Sequence, residues 1–163
     1  MAVNQLSKQM VKLNANGIDY EREVEPRLLL SDFLRNELGL TGTHVSCEQG
    51  VCGSCNVILE GKVVRSCLLF AVQANGLEVK TIEFLAEDPE HLHPIQESFV
   101  DNHAVQCGFC TPGMILATYE LLQDTPDPNL NEIKEALSGN ICRCTGYTNV
   151  VKAVQDAATR MQA

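Results

Sequence analysis

The eight cysteines of this 163-residue chain are confined to two runs. The first is Cys47-x4-Cys52-x2-Cys55-x11-Cys67, and the second is Cys107-x2-Cys110-x31-Cys142-x-Cys144. Four thiolates are what a 2Fe-2S rhomb requires, and C-x4-C-x2-C with a distant fourth cysteine is the spacing of plant-type ferredoxins. Grouped four and four with none left over, the cysteines predict two clusters and hence an electron relay. Disulfides are the competing reading of an even count, but the opening MAVNQLSKQM has no charged-then-apolar leader of a secreted chain. Structural zinc also takes four cysteines, usually from two short C-x2-C knuckles, which the first run lacks. Catalytic thiols need a base, and only His44 and His103 lie near the cysteines in sequence. On spacing alone the first run is an iron–sulfur cradle, whereas the second leaves zinc open.

Gly50 and Gly53 sit between the ligands of the first run. Without a Cβ they permit positive φ, so the loop can curl tightly and aim amide N–H groups at cluster sulfurs. Such donors stabilise the extra negative charge of the reduced state. The chain carries a net charge of −9, and each oxidised all-cysteine cluster adds about −2. That balance excludes a nucleic-acid-binding role, which calls for basic patches, and aromatic residues at 5% offer little for base stacking. No apolar stretch is long enough to span a bilayer.

The first 80 or so residues read as strands with one helix. Met10 to Leu13 and Ile18 to Val24 flank a turn ending in Asn16-Gly17, and 28–38 has the apolar spacing of a short helix stopped by Gly39. After the cysteine loop, Asn56 to Leu59 and Val63 to Arg65 flank Glu60-Gly61-Lys62 as a second hairpin, with Cys67 just beyond. Asn75-Gly76 turns the chain into Leu77 to Thr81. These elements describe a β-grasp ferredoxin. From Pro94 onward the pattern is helical. One helix runs through Ile95, Phe99 and Val100, and another is capped by Thr111 with Pro112 next. A third starts at an Asn129/Glu132 capping box and stops at Gly139, and a last one has Val150, Val154, Ala157, Ala158 and Met161 on one face. The predicted fold is therefore α+β: a plant-type ferredoxin-like domain over 1–82, a linker over 83–92, and a four-helix 2Fe-2S domain over 93–163. All four cysteines of the second run can meet at one end of that bundle. Each half is only about 80 residues, so a cluster would also staple it.

Four strings together identify the pattern: Cys47-Glu-Gln-Gly-Val-Cys-Gly-Ser-Cys55, Arg65-Ser-Cys-Leu68, Gln106-Cys-Gly-Phe-Cys-Thr-Pro-Gly113 and Ser138-Gly-Asn-Ile-Cys-Arg-Cys-Thr-Gly-Tyr147. The chain closely resembles the small iron–sulfur subunit of the xanthine oxidase family of molybdenum hydroxylases, from Leu13 to about Ala158. The resemblance implies that Cys47, Cys52, Cys55 and Cys67 hold a ferredoxin-type cluster nearer a flavin. It implies that Cys107, Cys110, Cys142 and Cys144 hold a helical-domain cluster nearer molybdenum. By the same resemblance Cys144 also contacts a molybdopterin, and Gln106 hydrogen-bonds it. No ligand position departs from the family pattern, and Ser54 stands where many relatives have alanine.

The resemblance thus implies an electron-transfer subunit with no catalytic residues of its own. Its partners would be a large molybdopterin subunit and a medium FAD subunit, in a cytoplasmic dimer of heterotrimers, because Met1 to Gln9 carry neither a twin-arginine nor a lipoprotein signal. The competing function is a freestanding two-cluster ferredoxin-like carrier, whose docking the acidic charge would suit. Outside the cysteines, His91 and His93 read as a solvated linker pair and His103 as a helix-terminus histidine. Glu87-Asp88-Pro89-Glu90 reads as a solvated linker.

Overall fold

Two tight turns set the register of the sheet. Asn16 and Gly17 have φ of 53° and 82°, and Glu60 and Gly61 have φ of 48° and 83°. Positive φ at both central residues is the type I′ turn, whose twist matches an antiparallel pair. The first turn closes β1 (Gln9–Ala15) on β2 (Ile18–Val24), pairing Ala15 with Ile18. The second closes β3 (Asn56–Leu59) on β4 (Lys62–Arg65), pairing Leu59 with Lys62, so Lys62 belongs to the strand rather than the turn. Between the hairpins lies β5 (Glu78–Lys80), parallel to β1 and antiparallel to β3, giving the order β2-β1-β5-β3-β4. The structure is a computed structural model that describes residues 7–162 apart from 87 and 89. The expectations for Met1–Leu6, Glu87 and Pro89 lie outside the described residues.

The helix predicted over 28–38 is realised as α1 (Leu30–Asp32) running into a π turn over Phe33–Glu37. Its face of Leu30, Phe33 and Leu34 is wholly buried against the sheet beside Val11, Val57 and Val79. Burying side chains of this size is worth roughly 1.5–3 kcal/mol each. Gly39, at φ 75°, ends the turn as predicted. Arg35 then donates to Thr41 O at 2.7 Å and Thr43 O at 2.8 Å, which fixes the approach to His44 and the first cysteine loop.

Four helices complete the chain: α2 (Pro94–Asp101), α3 (Thr111–Asp124), α4 (Leu130–Leu137) and α5 (Tyr147–Gln162). Asn129 and Glu132 form the capping box predicted for α4. At α3 the N-cap is Cys110 rather than Thr111, so Pro112 falls one place later, still in the first turn where its missing N–H is not needed. The helices α2 and α5 are pinned together. Ser98 Oγ lies 2.6 Å from Ala153 O and 2.8 Å from Asp156 Oδ2, and Asp156 also receives Asn102 Nδ2 at 2.9 Å and Arg160 at 2.8 Å. Ile95, Phe99, Met114, Ile133 and Val150 form the core of this half, and Ile58 of β3 joins it. Two positions that periodicity places inside are exposed. Val100 follows Phe99 by one residue and so turns about 100° away from it, and Met161 lies in the last turn of α5. The architecture is α+β as predicted, a ferredoxin-like sheet with α1 across it and then the helices. Among the described residues no helix is long and apolar enough to cross a membrane.

Candidate iron–sulfur centres

The first cysteine loop curls through three left-handed residues, Glu48 (φ 51°), Gly50 (φ 78°) and Gly53 (φ 73°). Cys52, Cys55 and Cys67 are buried and Cys47 half-buried. The fourth cysteine arrives on the 3-10 turn Ser66–Leu68, which is tied to the loop by Ser66 N–H and Oγ, both donating to Cys55 O at 3.2 Å and 2.7 Å. Within the set the thiols interact in pairs, Cys47 with Cys52 and Cys55 with Cys67. The Gln49 N–H, 3.4 Å from Cys47 Sγ, together with the Cys52 thiol and nearby amides, lowers Cys47 to about 6. Burial, reinforced by the Cys55 thiol, pushes Cys67 up to about 11.

The second set is built on helix starts. Gly108 (φ 82°) bends the Cys107–Cys110 segment, and Cys110 caps α3. Thr145 (φ 60°) bends the segment between Cys142 and α5, and the Tyr147 hydroxyl accepts from Cys142 N–H at 2.7 Å. Amides at the approach to α5 reach the Cys142 thiol and favour its thiolate. Here the pairs are Cys107 with Cys144 and Cys110 with Cys142. Burial and the Cys142 thiol push Cys110 up to about 12. For Cys142 burial works the other way from its amides, and the Gly146, Cys144 and Thr145 N–H groups with the Cys110 thiol win and lower it. The Phe109 N–H leads in lowering Cys107. All four cysteines meet at one end of the helical half, as the helix order predicts. Cys107 is exposed, Cys110 and Cys144 are half-buried and only Cys142 is buried.

Each set brings four free cysteine thiols close enough to act on one another, which is the donor set a 2Fe-2S cluster takes. Both sets fit a 2Fe-2S cluster by the chemistry of their donors.

The two ligand loops touch. Ile141 N–H, next to Cys142, donates to Cys52 O at 2.9 Å, and Asn140 Nδ2 reaches Gly53 O at 3.3 Å. Asn56 Nδ2 donates to Gly113 O at 2.9 Å, and Arg65 joins Asn56 Oδ1 to Gly139 O. A Cβ on Gly53 would stand 2.6 Å from both Asn140 Nδ2 and Gly139 O, and one on Gly113 would run into Gly53 O. Both glycines are thus required by the closeness of the loops. Sequence reasoning assigned no role to Asn56, Arg65 or Asn140. Asn56 and Asn140 are buried polar residues near cysteine ligands, and Arg65 and Asn140 stand inside the Arg65–Leu68 and Ser138–Tyr147 strings, which gave them no role of their own.

The other expected residues have varied surroundings. Gln106 is exposed beside Cys107, its Nε2 3.4 Å from where a Cβ on Gly146 would lie, so it borders the loop carrying Cys144. His44 stacks on Phe109 with ring centroids 4.9 Å apart, and its Nδ1 lies 2.8 Å from Phe109 O; it serves the second set's loop although it is close to the first in sequence. His93 is no free linker residue: it caps α2, accepting from Ile95 N–H at 3.2 Å, and burial lowers its pKa. His91 pairs with Asp88 at 2.8 Å. His103 (φ 52°) follows the C-terminus of α2, where Asn149 Nδ2 binds its carbonyl at 3.1 Å.

Comparison with known proteins agrees with this geometry. Residues 13–91 match the family described as "2Fe-2S iron-sulfur cluster binding domain", and residues 81–155 match the family described as "2Fe-2S binding domain". The chain is 52% identical over 147 residues to the 6-hydroxypseudooxynicotine dehydrogenase complex subunit beta of Paenarthrobacter nicotinovorans, covering 89% of this chain and 91% of that one. It is 46% identical over 158 residues to caffeine dehydrogenase subunit gamma of Pseudomonas sp. strain CBB1, covering 94% and 93%. Among solved structures, quinoline 2-oxidoreductase from Pseudomonas putida 86 superposes with a TM-score of 0.91 at 43% identity, covering 96% of this chain and 97% of that one.

Proposed function

The chain belongs to the small iron–sulfur subunits of the xanthine oxidase family of molybdenum hydroxylases, and on that premise we propose that it relays electrons from a molybdenum–pterin centre on a large partner to FAD on a medium partner. It is an iron–sulfur subunit of a multi-subunit oxidoreductase. Each 2Fe-2S cluster, when bound, takes up one electron and passes it on. Cys47, Cys52, Cys55 and Cys67 would hold one, and Cys107, Cys110, Cys142 and Cys144 the other. In domain terms, 1–82 would carry the first and 93–163 the second, with 83–92 as linker.

One observation supports a relay above the others: the Cys52 carbonyl and the Ile141 amide, each one residue or less from a ligand of a different set, share a 2.9 Å hydrogen bond. The protein thereby holds the two sets at a fixed spacing. Apolar side chains stand exposed beside each set, Val51, Leu68 and Phe70 by the first and Phe109, Ile141 and Tyr147 by the second. Two partners, one on each side, would cover them. Exposed Cys107 and Gln106 with half-buried Cys144 form the more open side, and there Cys144 and Gln106 would meet the molybdopterin. Burial keeps water from the first set, and the chain supplies placement, charge and exclusion of water rather than an acid, base or nucleophile. The proposal includes a cytoplasmic setting, which suits free thiols that must meet iron and sulfide before oxidising, and a dimer of heterotrimers.

Affinity purification of the tagged chain from cells expressing its neighbouring genes tests this. Co-elution with a molybdenum-containing large subunit and an FAD subunit, at the mass of a dimer of heterotrimers, is the expected result. A chain that elutes alone with both clusters loaded would favour the freestanding carrier instead.

A further inference from the structure

Arg65 ends β4, two residues before Cys67. Its guanidinium crosses the seam between the two thiol sets. Nη1 donates to Asn56 Oδ1, and Nη2 donates to Gly139 O at 2.7 Å, three residues before Cys142. Asn56 in turn holds Gly113 O at the start of α3. The arginine is thereby tied to β3, to the first turn of α3 and to the end of α4. Gly139 follows the C-cap of α4, where the sequence predicts a helix stop, yet it is not among the residues with positive φ. A Cβ there would collide with Arg65 Nη2, so the glycine makes room for the guanidinium.

Among the described residues the charge has no acidic partner. Arg65 Nε is buried without a hydrogen-bond acceptor. Among the described residues no carboxylate lies within 4.0 Å of the guanidinium. Glu120 and Asp124 line the same cleft of about 420 Å³, but Glu120 accepts from Val63 N–H and Asp124 pairs with Lys62. Arg65 is half-buried, with its Nε shut off from water while the rest of the guanidinium borders the cleft. A charge partly removed from water is costly unless an opposite charge compensates it, and the acceptors it reaches are the amide oxygens of Asn56 and Gly139. The two flanking loops carry the thiol sets, and each oxidised all-cysteine 2Fe-2S cluster brings about −2.

We infer that Arg65 is the counter-cation shared by both iron–sulfur sites, a positioning residue that holds the two ligand loops together and raises both reduction potentials. A fixed positive charge favours the reduced, more negative state of each site. Arginine suits this place better than lysine, because its planar fork reaches Asn56 and Gly139 at once and its charge is permanent. The inference rests on the reading that both thiol sets hold 2Fe-2S clusters.

The test uses the whole complex, with iron and sulfide analysis and then spectroelectrochemical titration of each cluster. Arg65→Gln is expected to keep iron and sulfide while both midpoints shift negative. Arg65→Lys, which retains the charge but only part of the clamp, should shift them less. Asn56→Asp places a carboxylate on the guanidinium and should shift both negative with Arg65 still present. Unmoved midpoints in a fully loaded Arg65→Gln protein would overturn the inference, as would a lysine variant shifted as far as the glutamine one. Should Arg65→Gln fail to load its clusters, unmoved midpoints in Asn56→Asp would overturn it. A parent protein without iron or sulfide fails at the earlier step, the identity of the two sites.

Discussion

The ferredoxin-like half and the helical half each present four thiols, but they hold them by different means. In the first half, a single curled loop and one 3-10 turn enclose the set, and three of its four cysteines are buried. In the second, the set lies at the starts of α3 and α5, and only Cys142 is buried. A loop can close around a cluster because amides from consecutive residues turn inward at positive φ. Helix starts also offer amides and a favourable dipole, but all on one side, and the opposite side stays open. One chain can thus protect one redox site by its own fold while leaving the other for a partner to close.

This contrast fails first if the sets are not independent. Cys55→Ser and Cys110→Ser should each remove one cluster and leave the other, halving iron from about four to about two per chain. Their electron paramagnetic resonance spectra should be complementary, and loss of both signals from either variant in a folded protein would contradict the four-and-four division. Next in size is air stability. The isolated chain should lose its helical-half cluster several-fold faster than the buried one, and the assembled complex should protect both. Equal decay rates, read from the absorbance of each cluster, would remove the contrast in protection.

A third variant probes the seam between the halves. Gly53→Ala combines left-handed backbone with a collision against Asn140 and Gly139, and should cost on the order of 1–3 kcal/mol. Gly61→Ala has a similar φ but nothing within 4 Å, and should cost roughly 1 kcal/mol. Denaturant midpoints of the two compare them side by side. The smallest effect concerns acid. The Ser98 hydroxyl first, then Arg160 and Asn102, hold the Asp156 carboxyl below the ordinary aspartate value against the opposing effect of burial. Its contribution to stability is complete above the ordinary carboxylate range and is lost as pH falls through the depressed value. Asp156→Asn should therefore flatten the acid side of the helical half's stability profile and leave the ferredoxin-like half unchanged.

The sequence was most legible where local chemistry decides. Asn16-Gly17 and Glu60-Gly61 announce their turns because few residues accept positive φ, and Asn129 with Glu132 announces a helix start. Cysteine spacing pointed to an iron–sulfur cradle in the first run and left zinc open for the second, whose far pair is separated from the near pair by two helices. Contacts made across the fold were not legible. Gly113 is glycine because of Gly53 O, Gly139 because of Arg65, and His93 is a helix cap rather than a solvated linker residue. None of these can be deduced from neighbours in sequence. Met161 shows the limit of periodicity: it lies on the apolar face of α5, but in the last turn that face is exposed.

Whether one chain holds two 2Fe-2S sites side by side is decided by analysis of iron, acid-labile sulfide and zinc in the purified protein, joined to electron paramagnetic resonance after reduction. About four irons and about four sulfides per chain are expected, with negligible zinc and two distinct 2Fe-2S signals. One or two zinc ions per chain with no sulfide and no signal would contradict the assignment.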